Sequence, residues 1–87
     1  MTPEEQKRRF AWQCRRGLLE VDVVVNGYLD EHFLNDTAEN RERFGRLLAC
    51  PDPDLFEWFT GRSLPDDPDM AAYVTHILKL LDRAQPG

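Results

Sequence analysis

The stretch Leu18-Leu19-Glu20-Val21-Asp22-Val23-Val24-Val25-Asn26-Gly27-Tyr28-Leu29-Asp30-Glu31-His32-Phe33 decides the fold class. Its valines favour a strand, and Gly27 costs about 1 kcal/mol relative to alanine inside a helix. Against that, Leu18, Val21, Val25, Tyr28 or Leu29, and His32 or Phe33 recur at steps of three and four, the period of one helix face. The stretch also exceeds the usual strand of about 5–6 residues, and no second strand pattern exists to pair with it. The reading is a helix over about 18–33.

Upstream, the pattern predicts a helix from about Glu4 to Arg15, with Pro3 tolerated in its first turn. Phe10 and Cys14 lie four apart and face a core together, while Trp12 points elsewhere, as a bridge to another helix or an exposed anchor. Gly17 stops the helix, because a positive φ there carries no Cβ penalty. Downstream, Asn35, Asp36 and Thr37 are turn and cap residues, with Asp36 as N-cap and Glu39 as its capping-box partner. The third helix, about 38–49, should bury Phe44, Leu47 and Leu48 and expose Arg41, Glu42, Arg43 and Arg46. Asp52-Pro53 and Asp67-Pro68 both read as an N-cap followed by proline at the first helical position. The fourth helix carries Leu55, Phe56, Trp58 and Phe59 and closes at Gly61. The fifth buries Met70, Tyr73, Val74, Ile77, Leu78 and Leu81, and Gln85-Pro86-Gly87 ends the chain. The expected architecture is all-α, a compact five-helix bundle with short connections.

Bulk properties narrow the function. Eighty-seven residues make a single domain, 1–87. A net charge of −5 and a pI near 4.9 argue against nucleic acid as the main ligand, which demands a basic face. The charge is graded along the chain. Lys7, Arg8, Arg9, Arg15 and Arg16 make the start basic, and Asp52, Asp54, Glu57, Asp66, Asp67 and Asp69 make the later part acidic. Such polarity orients a protein partner, although solvated helix faces account for charge clusters of this size equally well. Cys14 and Cys50 cannot build a disulfide framework and read as small buried hydrophobes. With no transmembrane run and a polar, acidic start, the chain is expected to be cytoplasmic, without membrane insertion.

Catalytic chemistry finds little footing. His32 and His76 are far apart and sit in or beside apolar stripes, and Ser63 lacks a nucleophile-elbow context. Glu31-His32 is adjacent rather than spaced i,i+4, so a metal site is not expected, and no glycine-rich phosphate loop is present. Paired carboxylates need an enclosed cleft to shift their pKa values, and a small bundle offers little such volume. Attention therefore falls on Cys14-Arg15-Arg16-Gly17-Leu18-Leu19-Glu20, where a glycine sits between a guanidinium and a carboxylate. One explanation is an Arg16–Glu20 helical ion pair beside a turn. Arginine before glutamate is the weaker order for such a pair, and glycine interrupts the helix, which points instead to close docking of another molecule. In the fourth helix the rings at 56, 58 and 59 cannot share one face, so Phe56 or Trp58 should be partly exposed.

Trp12-x-Cys14-Arg15-Arg16-Gly17-x-x-Glu20, followed about thirty residues on by Asp52-Pro53-Asp54-Leu55-Phe56-x-Trp58, resembles the succinate dehydrogenase flavinylation factor family (FAD assembly factor, SdhE type). The resemblance spans about Arg8 to Leu81. It implies an assembly chaperone rather than an enzyme, binding the flavoprotein subunit of succinate dehydrogenase, and often that of fumarate reductase. There it would promote the bond between a subunit histidine and the 8α-methyl of FAD, with no cofactor stably bound to the chaperone itself. By the same resemblance Arg16, Gly17 and Glu20 form the RGxxE element at the interface. Arg9, Trp12, Arg15 and Asp22 lie close to it in sequence and are expected to extend that surface. A monomer is the default. The alternative is a small antitoxin-like or regulatory protein-binding adaptor unrelated to flavin.

Overall fold

In the computed structural model, which describes residues 2–81, the valine-rich stretch is a helix. The described residues form α1 (Pro3–Gln13), α2 (Leu19–Glu31), a 3₁₀ turn (Phe33–Asn35), α3 (Ala38–Leu48), α4 (Asp52–Phe59) and α5 (Pro68–Leu80), with no strand among them. The all-α five-helix expectation is met; Gln85-Pro86-Gly87 lie outside the described residues. No described helix is long and apolar enough to cross a membrane.

Burial explains why α2 overrides the β-propensity of its valines. Val21, Val24, Val25, Tyr28 and Leu29 form its buried stripe, and α2 packs against α1, α4 and α5. Branched side chains that lose rotamer freedom in a helix regain more by leaving water, roughly 1.5–3 kcal/mol for each large apolar group. The helix ends at His32, short of the expected Phe33, because the chain tightens there into the 3₁₀ turn that buries Phe33.

The caps correct several expected boundaries. α1 starts at Pro3, since the Thr2 hydroxyl accepts from the Glu5 N–H at 3.2 Å and the Glu5 carboxylate accepts from the Thr2 N–H at 3.0 Å. It ends at Gln13 rather than Arg15, because Cys14 is its C-cap. Thr37, not Asp36, caps α3, its hydroxyl accepting from the Asn40 N–H at 3.1 Å. Asp52 does not cap α4 either; Pro51 holds that position and makes no side-chain cap bond. Only the Asp67 start stands as expected, with the Asp69 N–H donating to the Asp67 carboxylate at 3.1 Å.

Aromatic rings fill the centre. Phe10 meets Phe33 and Phe44 edge-on, each at 5.7 Å between centroids, and the Tyr28 ring lies 4.8 Å from Phe44 and 6.0 Å from Tyr73. α1 can come this close because α3 has glycine at the crossing. A Cβ on Gly45 would sit 2.9 Å from Phe10 Cζ. Phe56 and Trp58 are half-buried and Phe59 is buried, so the three rings divide as their spacing requires. Arg41 and Arg43 are less exposed than expected. Arg41 donates to the Asp36 carbonyl and lies over the Phe33 ring, and Arg43 pairs with Asp69 at 2.9 Å.

Asp36, freed from capping, ties the α2–α3 turn to the rest. Its carboxylate, 8% exposed, accepts from Tyr28 Oη at 2.7 Å, His76 Nε2 at 2.9 Å, Asn40 Nδ2 at 2.8 Å and the Thr37 N–H at 2.8 Å. Burial opposes its ionisation, but the bonds from Asn40, Tyr28, His76 and Thr37 outweigh that and hold its pKa near about 2 instead of 3.8.

A depressed folded-state pKa contributes stability that is fully present above pH ~3.8 and lost as pH falls through ~2. Asp36→Asn should therefore lower stability at neutral pH by about 2 kcal/mol and flatten its dependence between those pH values, as read by urea titrations across the range. Gly45→Ala should cost about 1–3 kcal/mol through overpacking. Adding Phe10→Leu should recover part of that loss, and strict additivity of the two unfolding midpoints would exclude the Phe10 contact as its cause.

Candidate functional site

Between Gln13 and Leu19 the chain must leave one helix and enter another, and the orphan carbonyls and N–H groups at those ends need partners. Arg16 bonds to a residue of each flanking helix and to the α3–α4 corner. Its backbone N–H donates to Asp22 Oδ1 at 2.8 Å, and Nε donates to Asp52 Oδ1 at 2.7 Å. Nη1 donates to the Leu48 carbonyl at 2.8 Å and the Gln13 carbonyl at 3.1 Å, and Nη2 to the Cys50 carbonyl at 2.8 Å. The guanidinium thus sits where α3 ends and α4 begins. There its charge meets the negative end of the α3 dipole and a carboxylate at once. With the Arg16 and Asp52 side chains 16% and 28% exposed, this ion pair is half-buried and screened less than a surface pair. Asn26 adds a second tie, donating to the Cys14 carbonyl at 3.0 Å and the Asp22 carbonyl at 2.8 Å.

This geometry alters one expectation about Arg16. As the order of charges suggested, it does not pair with Glu20, but its guanidinium is turned inward rather than toward a partner. Asp22 is likewise half-buried and spent on the loop. Asp52 was not among the sequence-derived site residues, and it is the carboxylate on which the loop is anchored. The only signal for it was that its segment recurs with the RGxxE string; no rule of spacing links positions 16 and 52.

Gly17 and Glu20 do face outward. Gly17 has φ +91°, and a Cβ there would meet nothing within 4 Å. The Glu20 carboxylate is exposed and makes no hydrogen bond or ion pair among the described residues. On the α1 flank, Trp12 is 74% exposed with the Arg15 guanidinium over its ring at 5.1 Å, and Arg9 and Trp12 line a shallow depression. On the α2 flank, Glu20 is the one charged residue, among the described residues, that lines a groove of ≈ 600 Å³ between α2 and the ends of α4 and α5.

Chemistry elsewhere in the described residues is subdued. Burial pushes the Cys14 thiol up to about 12, so it stays protonated at neutral pH, and burial also raises Cys50. His76 is engaged with Asp36, and no group of three or more His, Cys, Asp or Glu among the described residues could hold a metal ion.

Comparison with known proteins identifies relatives over the same span. A family described as "Flavinator of succinate dehydrogenase" (Sdh5) matches residues 8–81. The chain is 41% identical over 86 residues to the FAD assembly factor SdhE of Pseudomonas aeruginosa, covering 99% of each chain. It is 44% identical over 77 residues to the SdhE of Pasteurella multocida, covering 86% of this chain and 89% of that one. To the SdhE of Vibrio parahaemolyticus it is 43% identical over 77 residues, 88% of each.

The inward and outward residues should separate by stability. Arg16→Lys keeps the charge but not the planar fork, and should cost about 1–3 kcal/mol, as should Asp52→Asn. Glu20→Gln should stay within ~0.5 kcal/mol of the parent, the scale of its interaction with the α2 dipole. Equal urea midpoints for all three variants would show that Arg16 does not clamp the loop.

Proposed function

The chain belongs to the family of flavinators of succinate dehydrogenase, and from that membership we propose that it is an assembly factor for that enzyme's flavoprotein subunit, promoting covalent attachment of FAD. It acts as a chaperone rather than a catalyst, in the cytoplasm and as a monomer, and it serves the related flavoprotein of fumarate reductase as well. The antitoxin-like adaptor reading gains nothing from this membership.

One observation carries the reading: Gly17 on the loop and Glu20 in the first turn of α2 are presented outward, while the neighbouring Arg16 is locked inward by Asp52 and three backbone carbonyls. A loop already held in one shape loses little freedom on docking, so more of the contact energy remains for binding. The bare Gly17 backbone allows a flavoprotein surface to approach closely, and Glu20 can accept a charge-assisted hydrogen bond from it. Arg9, Trp12 and Arg15 offer cationic and aromatic contacts on one side of that point. Asp22 and Arg16 act through the loop, as positioning residues.

FAD is the flavoprotein's cofactor. Among its described lining residues the groove beside Glu20 offers a carboxylate and no cationic side chain, which suits neither a pyrophosphate nor an adenylate. The factor's contribution is therefore conformational. Docking stabilises the arrangement of the flavoprotein that sets its own histidine against its own flavin, which lowers the barrier by preorganisation.

In-gel fluorescence of covalently bound flavin should rise when the flavoprotein is co-expressed with the parent chain and fall to the factor-free level with Gly17→Arg. That substitution projects into solvent and costs only the strain of a positive φ, roughly 1–2 kcal/mol, so circular dichroism should report an intact helical fold. Fluorescence that ignores the parent chain, under conditions where attachment needs a helper, would remove the assembly-factor reading.

A further inference from the structure

We propose that the groove between α2, α4 and α5 is a second docking element. It receives a large apolar side chain of the flavoprotein carried beside a lysine or arginine, whose cation pairs with Glu20. The inference rests on the assembly-factor reading and adds to it the chemistry of the partner segment.

The groove is continuous with the docking loop, since Leu18, Leu19 and Glu20 follow Gly17 directly. Leu19, Val23 and Val24 of α2 form one wall, and Phe59 and Leu78 complete an apolar floor. Val24 is 4% and Phe59 8% exposed, so the floor is the outer surface of the core itself. Leu19, which lines the groove at the first residue of α2, is 74% exposed beside the docking loop. Apolar surface of this kind, edged by polar groups, marks an interaction site.

Charge selects the occupant. Among the described residues lining the groove Glu20 is the one that is charged, and its carboxylate has no partner among the described residues. A cation delivered next to buried apolar surface would meet that carboxylate in a partly desolvated setting, where such a pair gains strength and fixes register. The two requirements lie side by side on α2. They call for an apolar side chain and a basic one close together on the partner, rather than a purely apolar or an acidic segment. The loop then sets where the flavoprotein docks, and the groove sets which segment of it is gripped.

A photo-reactive amino acid placed at Leu19 or at Thr60, which also lines the groove, tests this on the full chain mixed with the flavoprotein, with position 12 as the marker of the α1 flank. The expected result is adducts from positions 19 and 60 that map to one flavoprotein segment bearing a large apolar residue beside a lysine or arginine. Val23→Glu should weaken flavoprotein binding by about tenfold or more, while Val23→Ile preserves it. Should Val23→Glu fail to fold, the adducts decide alone. Adducts from position 12 without any from 19 or 60 would overturn the groove proposal and leave the assembly-factor reading standing. A homodimeric adduct from position 60 would also overturn it, by assigning the groove to a second copy of this chain. Absence of adducts from every position would remove both readings together.

Discussion

The Arg16 guanidinium is the interaction on which the rest depends. A helix such as α3 ends with carbonyls that have no partner within it, and the next helix begins two residues after Cys50 with no side-chain cap of its own. One planar cation from a different part of the chain answers the first need by binding the Leu48 and Cys50 carbonyls, and its Nε holds the Asp52 carboxylate at the start of α4. The same residue, through its backbone N–H on Asp22, fixes the entry into α2. A single side chain therefore sets the α1–α2 loop, the α3–α4 corner and the distance between them. Lysine could neutralise Asp52 but could not hold two carbonyls in the same plane.

The proposed docking surface follows from that division of labour. Because Arg16 and Asp22 are spent on the loop, the groups left for a partner are those that the loop does not need: the bare backbone at Gly17, the Glu20 carboxylate, and the Trp12–Arg15 stack. Family membership supplies the flavoprotein as the partner, and the geometry supplies the reason a short loop suits the task. A rigid, outward-facing turn with no side chain at its apex can approach a flavin-bearing protein closely without entering its chemistry.

The α2–α3 turn shows the same economy. Asp36 has the sequence of an N-cap but is drawn away by Tyr28 and His76, which come from other helices, and Thr37 takes over the capping role. At Asp52 the competitor is Arg16. At the α2–α3 turn local capping rules name the right kind of residue one position away from where tertiary demand allows it, and at α4 the cap position falls to Pro51, which makes no side-chain bond. A buried carboxylate surrounded by several donors is worth more to the fold than one bond to a helix N-terminus.

Helical periodicity was strong enough by itself to determine the all-α class, the number of helices and the buried stripes of α2, α3 and α5, because burial of an apolar face is a local pattern written at a fixed spacing. The positive φ at Gly17, though not the helix stop, which falls at Cys14, and the Asp67-Pro68 start were equally legible, since both arise from the conformational limits of single residues. The RGxxE string was visible as a docking candidate, though not the fact that its arginine and its glutamate face opposite ways. Only the tertiary structure decided that. The direction of the Arg16 side chain depends on which carbonyls and which carboxylate the folded chain brings to it from residues 48 to 52, and long-range pairing leaves no periodic trace in a single sequence.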